Sequence, residues 1–265
     1  MDIEKKIKGT IRKYNLINKK EKIIVALSGG KDSGVTAYIL HKLGYDIEGI
    51  HINLGMGAYS RACMNVVEGL CKELGIGLHV YYAEKETKRK MIKIIRQNPS
   101  LSSCTICGVF KKWILNKKSR ELKADKIVTG HHLDDELQTF FMNILKGAPK
   151  LSANFGPILK FKDKKFVVKV KPLFFIEEKE IEEYARKNKI DVVEETCPYR
   201  KETYRIEVRK FFKEVSLKQK KNMLKNFLRL SERINKTRNT KINYCEICGE
   251  PSRNKICKKC ELIKI

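Results

Sequence analysis

No apolar run in this sequence approaches the roughly 20 residues needed to cross a bilayer, which argues against a helical membrane anchor. The opening Met1-Asp2-Ile3-Glu4 lacks the charge pattern and apolar core of a secretory signal. Nothing repeats at solenoid periods. Acidic residues are scarce, 31 against 57 lysines and arginines, which leaves a formal net charge of +26. An excess of that size draws a polyanion through counterion release, whereas a lysine-rich set of solvated faces is the plainer reading. No amphipathic basic helix stands apart from the rest, so a membrane surface is a weaker partner than a nucleic acid. Tryptophan is nearly absent. The single Trp113 lies in a helical pattern and reads as a core residue rather than a base-stacking platform. With no export signal, nine cysteines read as reduced thiols and metal ligands rather than disulfides, and the expected compartment is the cytoplasm.

Against these absences stands one dense motif, Ser28-Gly29-Gly30-Lys31-Asp32-Ser33. It follows the apolar run Ile23–Leu27 and opens the helical pattern Gly34–Leu43. A strand, a glycine turn and a helix N-terminus together make a phosphate cradle, in which backbone N–H groups and the helix dipole favour an anion. Lys31 adds a point charge. The Walker form is excluded, because Val25 and Asp32 stand where it needs Gly and Ser or Thr.

Residues 1–21 read as a short basic helix with Ile3, Ile7, Ile11 and Tyr14 near helical spacing. From Lys22 to about Lys171, β-like runs at Lys22–Leu27, Asp46–Leu54, Gly77–Ala83 and Lys126–Thr129 alternate with helical segments. That order predicts an α/β fold, a parallel sheet with helices on both faces. Ligands of such sheets sit beyond the strand C-termini, where Ser28, His51, Asn53 and Gly130 would gather. A further run, Phe166–Val170, precedes a helix over Glu177–Lys189 and basic helical stretches over Glu202–Lys213 and Leu217–Ile234. Asn235–Asn243 reads as a linker, and Tyr244–Ile265 is too small to build its own core. The chain thus divides into an N-terminal helix (1–21), a catalytic domain (22–200), a basic helical extension with linker (201–243) and a tail (244–265).

The cysteines sort into three groups. Cys245-x-x-Cys248 and Cys257-x-x-Cys260 in the tail can present four thiolates tetrahedrally, which suits structural zinc; a four-cysteine iron–sulfur centre is the alternative. Cys104-x-x-Cys107 and the distant Cys197 are one ligand short of a closed site. They fit a [4Fe–4S] cluster with one open iron, a redox dithiol at Cys104 and Cys107, or zinc completed by water or histidine. Cys63 and Cys71 fall in the helical pattern Ser60–Leu74 and read as packing residues. His51 has apolar surroundings that suit a satisfied core histidine equally well. Lys111 and Lys112 read on composition as solvated lysines. Of Asp134 and Asp135, helix capping explains one.

Five segments, taken in order, resemble the iron–sulfur tRNA thiolases of the ATP pyrophosphatase superfamily, the 2-thiouridine synthetases in particular. They are SGGKDS at Ser28–Ser33, GIHINLG at Gly49–Gly55, CTICG at Cys104–Gly108, TGHHLDDELQT at Thr129–Thr139 and CPY at Cys197–Tyr199. The tail pairs resemble the C-terminal zinc ribbon of the 2-thiouridine group. The resemblance implies a Rossmann-like ATP pyrophosphatase fold and adenylation of a tRNA base by ATP and Mg2+, followed by sulfur insertion. It assigns ATP to Ser28, Gly29, Gly30, Lys31, Asp32, Ser33, His51, Asn53, Gly130 and His131. It assigns the cluster to Cys104, Cys107 and Cys197, zinc to the tail cysteines, and catalysis to Lys111 and Asp135. The basic helices would track tRNA, with Tyr199 and Tyr204 as stacking or packing residues. Sulfide or a thiocarboxylated carrier protein would be the sulfur donor and a homodimer the working unit. The T-loop uridine is favoured as target. A wobble-uridine or cytidine thiolase, a cluster-independent amide or lysidine-type synthetase, and a non-catalytic RNA-binding module are the alternatives. One departure stands out: many relatives carry another zinc ribbon before the phosphate loop, and here the preceding 27 residues contain no cysteine.

Overall fold

The computed structural model describes residues 2–159, 161, 163–200, 204–236 and 242–263. The alternation read above builds a six-stranded sheet from β1 (Ile23–Leu27), β2 (Ile47–Asn53), β3 (Leu78–Tyr82), β4 (Lys126–Val128), β5 (Ile158–Leu159) and β6 (Val168–Val170). The order is β3-β2-β1-β4-β6-β5, parallel throughout except for the antiparallel β5 at the edge. Ile23, Ile24, Val25 and Leu27 are buried because helices cover both faces, which explains why β1 reads as a continuous apolar run rather than an alternating one. Register sets Leu27 beside His51 and Val25 beside Val128. The chain leaves β1 toward β2 and β3, then returns to β4 on its other side. Loops after β1 and β4 therefore flank the switch point, the place where such sheets bind ligands.

Helices α1 (Ile3–Tyr14), α2 (Lys31–Lys42) and α3 (Ala58–Leu74) share one apolar core with β1 and with α8 (Glu178–Lys187). The helix expected across residues 1–21 stops at Tyr14, where Asn15 turns left-handed at φ 47°. A second core joins the short α4 (Ala83–Thr87) and α5 (Met91–Gln97) to α6 (Ser103–Glu121). A third packs α7 (Leu133–Leu145) against α9 (Tyr204–Glu214) and α10 (Leu217–Lys236) through Phe140, Phe212 and Phe227. The last of these runs past Ile234 into the segment read as a linker. Residues 237–241 of that segment, and Glu202 at the head of the basic helical stretch, lie outside the described residues.

In the tail, a hairpin of β7 (Asn243–Tyr244) and β8 (Pro251–Ser252) precedes α11 (Lys258–Ile263). As its size requires, it borrows a core: Leu262 and Ile263 are buried with Ile106 and Phe110 of α6. Lys259 Nζ lies 4.5 Å from the Trp113 ring centroid, and Arg120 forms an ion pair with Glu250. Trp113 is a packing residue, as expected. Among the described residues no helix is long and apolar enough to cross a membrane.

Candidate active site

The loop after β1 is held by its own hydroxyls. Ser33 Oγ donates to Gly30 O at 2.9 Å and accepts from Ser28 N at 3.1 Å. No side chain caps α2, so its first-turn amides are open to an anion. Gly29 sits at φ +84°, and its carbonyl accepts from Val193 N at 2.9 Å. Lys31 lies at the loop's mouth, 2.8 Å from Glu178, 3.4 Å from Asp32 and 3.7 Å from Glu182. Burial alone would lower its pKa, but Asp32, Glu178 and Glu182 outweigh it and hold the ammonium charged. A triphosphate entering the loop would take Lys31 away from these carboxylates.

The segment after β4 closes on this loop. A Cβ at Gly130 would stand 2.6 Å from the Asp32 carbonyl carbon and oxygen, so only glycine fits there. His131 is exposed and its Nδ1 pairs with Thr129 Oγ1 at 2.9 Å. The histidine that turns inward is its neighbour. His132 is buried, with Nε2 3.9 Å from Asp32 and 3.4 Å from Asp135. Burial pushes the Asp32 carboxyl up, against the pull of His132 and Lys31.

The two adjacent aspartates separate cleanly. Asp134 is buried, 2.7 Å from Lys220 of α10, and accepts from the Glu178 N–H at 2.9 Å, so it joins three elements. Asp135 faces His132 and Arg205. Asp134→Ala leaves the Lys220 charge without its nearest carboxylate and is expected to cost about 3–5 kcal/mol, the usual scale for breaking a buried pair. Asp135→Asn is expected to change stability by under about 1 kcal/mol while abolishing turnover. Urea denaturation beside an activity assay checks both.

At the end of β2, His51 is buried with Nδ1 3.0 Å from Leu27 O, while Nε2 has no hydrogen-bond partner. Burial, and then the charge of Lys111, lower its pKa, so it is a neutral imidazole. Asn53 shapes the turn beyond, accepting from Gly55 N at 2.9 Å.

The second half of the cleft holds the cysteines. Cys104 and Cys107 sit one turn apart at the start of α6, which is capped by Ser102. Ser103 Oγ donates to Tyr199 O, which ties the Cys197 loop to that helix end. Burial raises the Cys107 thiol to about 11, Lys111 opposes this, and the charges of Cys197 and Cys104 add to it. All three are free thiols. They do not converge as ligands to a single ion, whereas the four tail cysteines do, with sulfurs within 4.8 Å of one another. A cluster spans several metal atoms and sets its thiolates further apart, so the triad's donor set fits a cluster better than one zinc ion. Lys111 is exposed, and its charge reaches His51, Cys63 and Cys107.

Cys63 forms the wall between the halves. It is buried, as a packing residue should be, and its Cα is 3.0 Å from where a Gly29 Cβ would stand. Sequence reasoning missed this junction, along with His132, Glu178, Arg205 and Arg209. Arg209 pairs with Glu178, the partner of Lys31, and Arg205 donates to Thr139 Oγ1 at 2.8 Å, so the basic helix α9 reaches the carboxylates beside the phosphate loop. Contacts across such sequence distances leave no local periodicity to read.

A glycine turn leading from β1 into an uncapped helix, at the switch point of a parallel sheet, defines a nucleotide-binding protein of the PP-loop class. The family model for the PP-loop domain matches residues 1–215. A tRNA-5-methyluridine(54) 2-sulfurtransferase of Pyrococcus horikoshii is 36% identical over 262 residues, covering 97% of this chain and 83% of that protein. One of the same description from Thermotoga maritima is 30% identical over 269 residues, covering 99% of this chain and 87% of its own length. The solved U34-tRNA thiolase NcsA of Methanococcus maripaludis, with its [4Fe-4S] cluster, superposes with a TM-score of 0.85 at 28% identity, covering 99% of this chain and 86% of that one. This chain belongs to the PP-loop family of tRNA 2-thiolation enzymes.

Proposed function

We propose that this protein replaces the 2-oxygen of a tRNA uridine with sulfur at the expense of ATP. The observation that carries the reading is the junction at Cys63, which packs against Gly29 of the phosphate loop and lies within reach of the charges of Lys111 and Cys197. The uridine carbonyl oxygen attacks the α-phosphorus of ATP, and pyrophosphate leaves. Hydrosulfide then adds to the activated carbon, AMP leaves with the oxygen, and the proton passes to solvent.

Ser28, Gly29, Gly30 and the α2 amides bind the departing pyrophosphate, with Lys31 turning to it from Glu178. His51 and Asn53 close the far side of the nucleotide pocket, and Asp32 and Asp135 take the divalent cation that accompanies ATP. Lys111 faces the gap between the two halves and steadies negative charge as the base is activated. A [4Fe–4S] cluster on Cys104, Cys107 and Cys197 would supply an open iron to hold the hydrosulfide. Zinc on Cys245, Cys248, Cys257 and Cys260 would fix the ribbon against α6, the helix that bears two of the cluster cysteines.

Exposed Lys218, Lys221, Lys225, Arg229 and Arg233 recur at three- and four-residue intervals along α10, a stripe suited to RNA phosphates. The target is the T-loop uridine, supported by relatives named for position 54. The likeness to a U34 thiolase favours the wobble uridine as the second reading. By family resemblance, sulfide or a thiocarboxylated carrier protein donates the sulfur, the working unit is a homodimer and the compartment is the cytoplasm. Release of pyrophosphate from ATP, measured with and without tRNA, tests the first step. Strict dependence on tRNA is expected, and release indifferent to tRNA would contradict the reading.

A further inference from the structure

The Asp32–His132–Asp135 group has a donor set that Mg2+ does not account for. One ligand atom from each residue falls within a shared 4.8 Å. Asp32 Oδ1 is buried, has no hydrogen-bond partner, and is the oxygen that faces His132 Nε2. The His132 side chain is 3% exposed; its Nε2 faces Asp32 and Asp135, and its Nδ1, without a hydrogen-bond partner, lies 3.8 Å from Asp134. A buried imidazole with Asp134 behind it and its Nε2 between Asp32 and Asp135 is set up to ligate.

The position supports this. Asp32 is the second residue of α2 and Asp135 the third of α7, on the two elements that flank the phosphate loop. His132 precedes α7 with extended backbone at φ −114° and ψ 177°, which turns its ring inward while His131 stays at the surface. Asp134 is committed to Lys220 and to the Glu178 amide, which leaves three donors facing one point.

Mg2+ is a hard ion that takes oxygen ligands and keeps its waters. Imidazole nitrogen instead favours the borderline divalent transition ions, and two carboxylates beside it suit Mn2+ or Fe2+ better than a thiolate-loving ion. We propose that Asp32, His132 and Asp135 form a divalent transition-metal site that prefers Mn2+ to Mg2+ and holds it before nucleotide arrives. Lys31, 3.4 Å from Asp32, turns wholly to Glu178 when the ion enters. Of six coordination positions, those not filled by protein are left for water and then for phosphate oxygens. The inference deepens the reading of this cleft as an ATP site, but its test does not need ATP.

Mn2+ is titrated into the full-length chain without nucleotide, with binding followed by loss of the free-ion EPR signal and nitrogen ligation by electron spin-echo modulation. One Mn2+ per chain is expected, with directly bound 14N, and Mg2+ at about 100-fold excess or more to displace it. His132→Asn removes the nitrogen coupling and weakens Mn2+ by roughly tenfold or more. Asp135→Asn, at a partly exposed carboxylate, gives the same loss of affinity should His132→Asn fail to fold. Absence of stoichiometric binding, Mn2+ bound without 14N coupling, or displacement by an equal concentration of Mg2+ would each overturn the proposal. ATP binding measured on the same samples separates the two readings: intact ATP binding in those cases leaves the nucleotide site standing. Nitrogen-ligated Mn2+ with no ATP binding would leave only the metal site.

Discussion

Alanine at Cys104, Cys107 or Cys197 is expected to abolish the iron–sulfur centre and all sulfur transfer, while tRNA-dependent release of pyrophosphate continues. On the proposed reading the two steps use different residues, the phosphate loop for the first and the cysteine triad for the second. The phosphate loop is stapled by Ser28 and Ser33 through hydrogen bonds that involve no thiol. On the proposed assignment the cluster would have only three protein ligands, so loss of any one would leave two, too few to hold it. Anaerobic protein should carry about four irons and four acid-labile sulfides per chain, lost in each variant. Cys71→Ala is the control. That thiol is buried in α3, its pKa raised to about 11 by burial alone, and its removal costs packing only. Full iron retained in any triad variant would contradict the assignment.

Gly130→Ala is expected to be nearly as damaging without touching a chemical group. The added methyl would stand 2.6 Å from the Asp32 carbonyl and 2.8 Å from Ser33 N. Those are backbone atoms at the start of α2, and they can yield only by displacing the phosphate loop. Overpacking of this kind costs about 1–3 kcal/mol, and here the strain falls on the amides that would hold phosphate. ATP affinity is expected to fall by about 100-fold or more. In Gly69→Ala the Cβ meets nothing within 4 Å inside α3, and a gain of roughly 0.5–1 kcal/mol is expected. Calorimetric titration with ATP, beside urea denaturation, distinguishes the two outcomes. Unchanged ATP affinity in Gly130→Ala would show that the loop after β4 does not support the phosphate cradle.

The central sheet was legible because each strand that carries the site is an apolar run of five or more residues or abuts a glycine turn. Ser28–Ser33 could be read for the same reason: a backbone approaching phosphate demands those residue types at that place. The edge strand Ile158–Leu159 is too short to show a period, and its pairing with β6 is set by the sheet rather than by its own residues. His131 and His132 are identical in sequence terms. Backbone direction at the start of α7 decides which ring is buried, and a motif cannot express that. Asp134 and Asp135 posed the same problem, resolved only by Lys220 arriving from α10. The helix over residues 1–21 ends earlier than its sequence suggests, and the sequence suggests more because Asn15–Glu21, with the buried Leu16 and Ile17, carries no strong stop signal beyond an asparagine able to turn left-handed. The reach of Arg205 and Arg209 to Asp135 and Glu178, beside the phosphate loop, comes from the third core, which docks α9 on α7 through phenylalanines far apart in sequence.

The most direct test is to incubate unmodified tRNA anaerobically with cluster-loaded protein, ATP, Mg2+ and sulfide, then identify the nucleosides by mass spectrometry. The account predicts a single uridine, in the T-loop, with sulfur in place of its 2-oxygen, formed only with ATP and only with Cys104, Cys107 and Cys197 intact. Consumption of ATP to AMP with no sulfur in the RNA, equal in wild type and cysteine variants, would contradict it and point to a synthetase that joins an amine or amide instead.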